Sequence, residues 1–87
     1  MKSLLDILMK EKELVDTFNR HKDSIHVFEE QLERIRSIDV DSKIKEDDIN
    51  RLEILIKDNE HAILVTKRKI DGVRLEIGKY FKELLRV

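Results

Sequence analysis

Two of the three histidines in this chain follow an aspartate by three residues, as Asp23-x-x-His26 and Asp58-x-x-His61. An acid and a histidine at this spacing share a helix face, and in metal-carboxylate bundles such pairs point inward to a metal ion. The hydrophobic pattern instead places both pairs on water-facing positions. No glutamate pair faces the predicted core to complete a ligand set. We therefore expect no metal site.

The third histidine, His21, falls in the predicted seam between two helices, with Asn59 and Thr66 close by. Polar residues in such a seam fix the register of the helices at some cost in stability. We interpret these three residues as a register-setting polar layer. A catalytic or pH-sensing role for His21 is the alternative.

Motifs for catalysis or cofactor binding are missing from the sequence. It has no cysteine, no glycine-rich phosphate loop, no nucleophile motif and no convergent acid pair. We therefore expect no catalytic residue, no cofactor and no enzyme activity. A small all-α enzyme remains an alternative.

The composition limits both the fold and the partners. With 87 residues, no proline and 2 glycines, a chain of many short strands and tight turns is excluded, and the predicted class is all-α. A formal charge of −1 provides no basic excess for nucleic acid, and the basic run 67–69 points in three directions around a helix. No apolar run approaches the ~20 residues that span a bilayer, and Asp6 interrupts the N-terminal one. We expect a cytoplasmic protein with no membrane insertion.

Two apolar stripes with alternating three- and four-residue spacing indicate two long helices. In heptad notation, a and d mark the positions that face the partner helix. In the first helix these are Leu4, Glu11, Phe18, Ile25 and Leu32 at a, with Ile7, Leu14, His21, Phe28 and Ile35 at d. In the second they are Ile49, Ile56, Ile63, Ile70, Ile77 and Leu84 at a, with Leu52, Asn59, Thr66, Val73, Tyr80 and Val87 at d.

The segment 37–43, rich in Ser and Asp, separates the stripes and supplies side chains that end one helix and cap the next. The prediction is a single helical domain spanning 1–87, with a helix over 3–37, a loop over 38–42 and a helix over 43–86. The short loop makes the helices an antiparallel, coiled-coil-like hairpin, in which Ile35 faces Ile49 and Ile7 faces Ile77. A third helix, created by a break at Asp71-Gly72, is the alternative.

Two helices make a thin core, so we expect the hairpin to complete a three- or four-helix bundle with a second copy or a partner. Apolar residues outside the second seam form the expected partner-binding strip. They are Ile54, Leu55, Ala62, Val65, Leu75 and Phe81, of which Ile54, Val65 and Leu75 are predicted to lie on the back of the helix.

Residues 49–85, INRLEILIKDNEHAILVTKRKIDGVRLEIGKYFKELL, contain Leu52, Ile56 and Asn59, spaced four and then three residues apart, and these lead into a long amphipathic helix. This segment resembles the closing helix of bacterial flagellar type III export chaperones of the FliT and FlgN type. The resemblance implies a cytoplasmic, non-enzymatic protein whose apolar stripe receives a partner's amphipathic helix.

The predicted function is a non-catalytic module for protein–protein interaction, either an adaptor or a small export-chaperone-like protein. The alternative is a structural scaffold in which two hairpins self-associate as a homodimeric four-helix bundle.

Overall fold

The computed structural model describes residues 3–38 and 42–86, which form two α-helices, α1 (Leu4–Ser37) and α2 (Ser42–Leu85). The described residues contain no strand, and the helices pack side by side as a long antiparallel hairpin. The predicted all-α hairpin is confirmed. Ser42, predicted as the last loop residue, already belongs to α2. The predicted loop residues 39–41 lie outside the described residues.

Helix α1 begins with a serine cap. Ser3 is extended, and its Oγ accepts a hydrogen bond from the backbone N–H of Asp6 at 3.2 Å. The carboxylate of Asp6 stands in the first turn, where the positive end of the helix dipole favours an acid. The cap satisfies one of the donors that a helix start leaves unpaired.

The other end of α1 is tied to the start of α2 by a lysine. The Lys45 ammonium donates to the carbonyl oxygens of Arg36 at 2.8 Å and Ile38 at 2.9 Å. These are carbonyls at and beyond the negative end of α1, where a cation is favourable. The contact holds the end of α1 against the first turn of α2.

Helix α2 is continuous over 44 residues, about 66 Å at 1.5 Å per residue. It runs through Gly72 and Gly78 without a break, and no described glycine has a positive φ. The alternative of a third helix starting at Gly72 is therefore wrong. Both glycines are helix-interior residues that weaken α2 without redirecting it.

The side chains predicted to form the seam are the ones that the two helices cover. Every described a and d residue is buried or half-buried, except Leu84, which is 53% exposed. Leu84 is exposed because α2 is longer than α1: in the predicted register Tyr80 faces Leu4, the first residue of α1. Predicting Leu84 as a seam residue was therefore wrong, and Val87 lies outside the described residues.

The covered core is small. No described side chain falls below 2% exposure. The buried residues are Ile7, Leu32, Thr66, Ile70 and Val73. Large apolar side chains left exposed are Leu5, Leu8, Met9, Val27, Ile38, Ile44, Ile54, Leu55, Leu64, Leu75, Phe81, Leu84 and Leu85.

Candidate helix-binding surface

The seam has two edges, and the heptad pattern determines which residues line each. In an antiparallel pair, e positions of one helix lie beside e positions of the other, and g positions lie beside g positions. The e edge is called the paired edge below, because it carries the ion pairs between the helices. The opposite edge of α2 consists of its g and c positions.

On the paired edge, Arg36 of α1 approaches Glu53 of α2 with Nη2 and Oε1 3.4 Å apart. Further along, Arg74 Nε donates to Glu11 Oε2 at 3.2 Å. Glu11 occupies an a position, and this contact satisfies its half-buried carboxylate. The other three side chains are about half exposed, so each pair contributes at most about 1 kcal/mol.

The c and g positions of α2 form a second stripe with the same three-and-four spacing as the seam. We call it the c/g strip. Its part between Asp48 and Lys79, to which the name refers below, consists of Asp48, Arg51, Leu55, Asp58, Ala62, Val65, Lys69, Gly72, Glu76 and Lys79, while the outer c and g residues Ile44 and Glu83 are left out.

The c/g strip is open to solvent and hollowed near both ends. One hollow is lined by Gln31, Ile35, Asp48, Arg51, Leu52 and Leu55. The other is lined by Lys10, Leu14, Lys69, Gly72, Val73 and Glu76. Each hollow lies where a g residue of α1 meets the strip, so the strip and α1 together form a shallow groove.

The centre of the strip combines small and apolar side chains. Leu55 is 42% exposed, and Ala62 and Val65 are half-buried. In α1 the g residue Ser24 is half-buried and the c residue Val27 is 50% exposed. Small residues between two helices let a third helix approach closely, so this groove has the shape and chemistry to receive one.

The six predicted partner-binding residues divide between different surfaces. Leu55 and Ala62 lie in the c/g strip. Ile54 and Leu75 are on the back of α2 and are 59% and 64% exposed. Phe81 is 47% exposed at an e position beyond the start of α1.

Val65 is the residue whose predicted position needs correction. The prediction placed it on the back of α2, away from α1, yet it is half-buried. Its c position puts it beside Ala62 at the edge of the seam rather than behind the helix. The residue left open here is its neighbour Leu64, 58% exposed at a b position, which the sequence analysis did not select.

Three exposed apolar residues near the start of α1 were not among the predicted partner-binding residues. Leu5, Leu8 and Met9 are 65%, 39% and 56% exposed. Leu8 occupies an e position of α1, on the same edge of the hairpin as the e residue Phe81 of α2. Because α2 extends past the start of α1, side chains at this end are left uncovered, and the unequal lengths of the helices are the signal that would have found them.

The predicted polar layer includes a contact between the helices. His21 Nδ1 and Asn59 Oδ1 are 2.9 Å apart, and Asn59 Nδ2 donates to the carbonyl oxygen of Leu55 at 2.8 Å. Because the amide nitrogen is engaged inside α2, the oxygen faces His21 as an acceptor. His21 must therefore carry its proton on Nδ1 to donate across the seam.

Thr66 is buried at 7% exposure, but its hydroxyl is satisfied differently. Its Oγ1 donates to the carbonyl oxygen of Ala62 at 2.7 Å, within α2. The structure thus brings His21 and Asn59 together and leaves the Thr66 hydroxyl in its own helix. A role for any of the three in setting register stays a prediction.

The Asp-x-x-His pairs do not converge. His26 lies 3.4 Å from Glu30 on the exposed surface of α1, and His61 is exposed on α2. Among residues 3–38 and 42–86, no three His, Asp or Glu side chains are arranged to hold a metal ion. Neither helix, over its described length, has a segment sufficiently long and apolar to span a membrane.

Comparison with known proteins found no relative of this chain. No family model matches the chain, and no curated protein or solved structure matches it significantly.

Proposed function

We propose that this chain is a non-catalytic helical interaction module that receives an amphipathic partner helix in the groove along the c/g strip. The single observation that carries the proposal is the c/g strip itself, which is hollowed near both ends where it meets α1 and has the small, half-buried Ala62 and Val65 at its centre, in a hairpin whose own core is thin. A helix laid there would cover the half-buried seam from the side that has no ion pairs between the helices in the described residues. Burying apolar surface at about 25 cal/mol per Å² provides the driving force.

The proposal includes a cytoplasmic location and no direct role in binding nucleic acid. The near-zero net charge supports the second point, because phosphate contacts need a basic surface. The resemblance of residues 49–85 to flagellar export chaperones is the reason to include an export-chaperone-like role within this proposal. A self-associating scaffold is the second candidate, and the charge pattern of the c/g strip favours it.

Site-specific photocrosslinking tests the groove. A photoreactive amino acid is placed at Val65 or at Leu55. The matched control places it at His61 on the back of α2. Each full-length variant is expressed in the organism that naturally makes the protein. We expect crosslinks from positions 65 and 55 to a helical segment, identified by mass spectrometry, and few from position 61. Equal crosslinking from all three positions would show that the groove is not the binding surface.

A further inference from the structure

We propose that the helix occupying this groove is α2 of a second copy of the chain, packed antiparallel to the first through the c/g strip. This inference rests on the proposed function, since it names the occupant of the same groove. It is carried by the order of the charges along α2 and by the absence of partners for them within the described hairpin.

The charges of the c/g strip reverse sign about its centre. From Asp48 to Lys79 the strip reads acidic, basic, Leu55, acidic, Ala62, Val65, basic, Gly72, acidic, basic. A two-fold axis between Ile63 and Leu64 therefore sets each charge against its opposite in the other copy. The five facing pairs are Asp48 with Lys79, Arg51 with Glu76, Leu55 with Gly72, Asp58 with Lys69, and Ala62 with Val65.

The geometry of these pairs is that of an antiparallel coiled coil. Each facing pair joins a g residue to a c residue, just as the seam of the hairpin joins a to d positions. The smallest residues face larger ones, with Gly72 opposite Leu55 and Ala62 opposite Val65. Alternating small and large residues across a helix interface lets the backbones approach.

A parallel pairing of the two α2 helices would bring each residue beside its own copy. Asp58 would then face Asp58 and Lys69 would face Lys69, so every charge of the strip would meet a like charge. Like charges held close together destabilise an interface and suppress the wrong arrangement. The sequence therefore selects the antiparallel arrangement.

The paired edge also has charges of alternating sign, but two of its four charges on α2 are already used. Glu53 and Arg74 contact Arg36 and Glu11 within the hairpin. In contrast, none of the charged residues of the c/g strip makes an ion pair or a side-chain hydrogen bond anywhere in residues 3–38 and 42–86. All six charges of the c/g strip are thus left for a second copy, whereas the paired edge keeps only Glu60 and Lys67 without a partner in the described residues.

Cysteine crosslinking tests the arrangement directly, because the natural chain has no cysteine. In the antiparallel dimer, Leu55 lies opposite Gly72 of the other copy, whereas the two Leu55 residues are about 25 Å apart along the helices. A Cβ added at Gly72 meets no atom within 4 Å, so a cysteine there fits the hairpin. A disulfide needs Cα atoms within about 7 Å.

We expect a 1:1 mixture of L55C and G72C chains to form a disulfide-linked dimer on mild oxidation, and L55C alone to form none. The matched control mixes L55C with L75C, whose cysteine is on the back of α2, and should also give none. Crosslinking of L55C alone would overturn the antiparallel arrangement.

Charge exchange provides a second, independent readout by sedimentation. Asp58→Lys places a lysine opposite Lys69 of the other copy on each side of the two-fold axis and should weaken self-association about tenfold. The double variant D58K/K69D should restore it, because the opposite charges face each other again. Asp71→Lys, the same charge change at an exposed b position turned away from the strip, is the control and should have no effect. Equal weakening by D58K and D71K would contradict the proposal.

Failure of this inference is distinguishable from failure of the proposed function. A wild-type mass of 10.4 kDa at every concentration would overturn the second-copy inference. In that case, crosslinks from position 65 to a different protein would leave the groove function standing. A monomer without groove-specific crosslinks would overturn both.

Discussion

At the scale of single residues, the contact between His21 and Asn59 is the most informative feature of the seam. The apolar stripes predicted that these residues would lie near each other, because both occupy d positions. The stripes did not predict the direction of the hydrogen bond. That direction follows from the bond of Asn59 to the Leu55 carbonyl, which only the folded helix reveals.

Removing one member of this pair should destabilise the hairpin more than removing both. His21→Leu leaves the half-buried Asn59 oxygen without its partner, so we expect a loss of about 1 kcal/mol in the free energy of unfolding. The double variant H21L/N59L replaces the pair with apolar side chains and should recover most of that loss. Urea unfolding of the four chains in a double-mutant cycle measures the coupling. Strict additivity of the two changes would contradict the contact.

Thr66 should behave differently from that pair. Thr66→Val keeps the shape of a buried side chain whose hydroxyl bonds only within α2, and the Ala62 carbonyl loses only an extra donor. We expect the free energy of unfolding to change by less than about 0.5 kcal/mol. Urea unfolding of T66V and H21L under the same conditions measures both changes. A loss as large as that of H21L would show that Thr66 contributes to the seam through its hydroxyl.

At the scale of the helices, the sequence predicted the seam well and the surfaces less well. Alternating three- and four-residue spacing defines one face of a helix, so the a and d residues could be assigned without coordinates. The burial of side chains at the edges and ends of the seam depends also on how far each helix extends and on the angle at which each side chain leaves its helix. These factors expose Leu84, cover part of Val65 and leave Leu64 open.

The interior glycines of α2 offer a test of its continuity. Gly78 has helical neighbours on both sides, and a Cβ added there meets no atom within 4 Å. We expect Gly78→Ala to raise the free energy of unfolding by about 1 kcal/mol through helix propensity alone. Thermal unfolding followed by circular dichroism measures it. A lower midpoint would show that α2 is broken or strained at this position.

At the scale of the whole molecule, the dominant feature is a thin core with much apolar surface outside it. Small domains that cannot bury enough surface gain stability by oligomerisation or by binding a partner. An antiparallel pair of hairpins joined through their α2 helices would cover the groove on both copies. The charge reversal along the c/g strip can be read from the sequence. Its relevance to association follows only from the structure, which shows that the ion pairs between α1 and α2 lie on the opposite edge of the seam.

Association of this kind makes stability depend on concentration. We expect the unfolding midpoint of the wild-type chain to rise as its concentration rises, because dimerisation favours the folded state by mass action. Val65→Lys should remove the dependence, whereas Leu64→Lys, the same type of change on the opposite side of the seam, should keep it. Circular dichroism over a hundredfold concentration range checks this, and a wild-type midpoint independent of concentration would count against self-association.

The most direct test of the second-copy interface is the mass in solution by sedimentation equilibrium, measured for the wild type, V65K and L64K over a wide concentration range. We expect twice 10.4 kDa for the wild type and for L64K, and 10.4 kDa for V65K with its helicity retained. A wild-type mass of 10.4 kDa throughout, or a dimer that V65K leaves intact, would contradict the assignment of the c/g strip as the interface between copies.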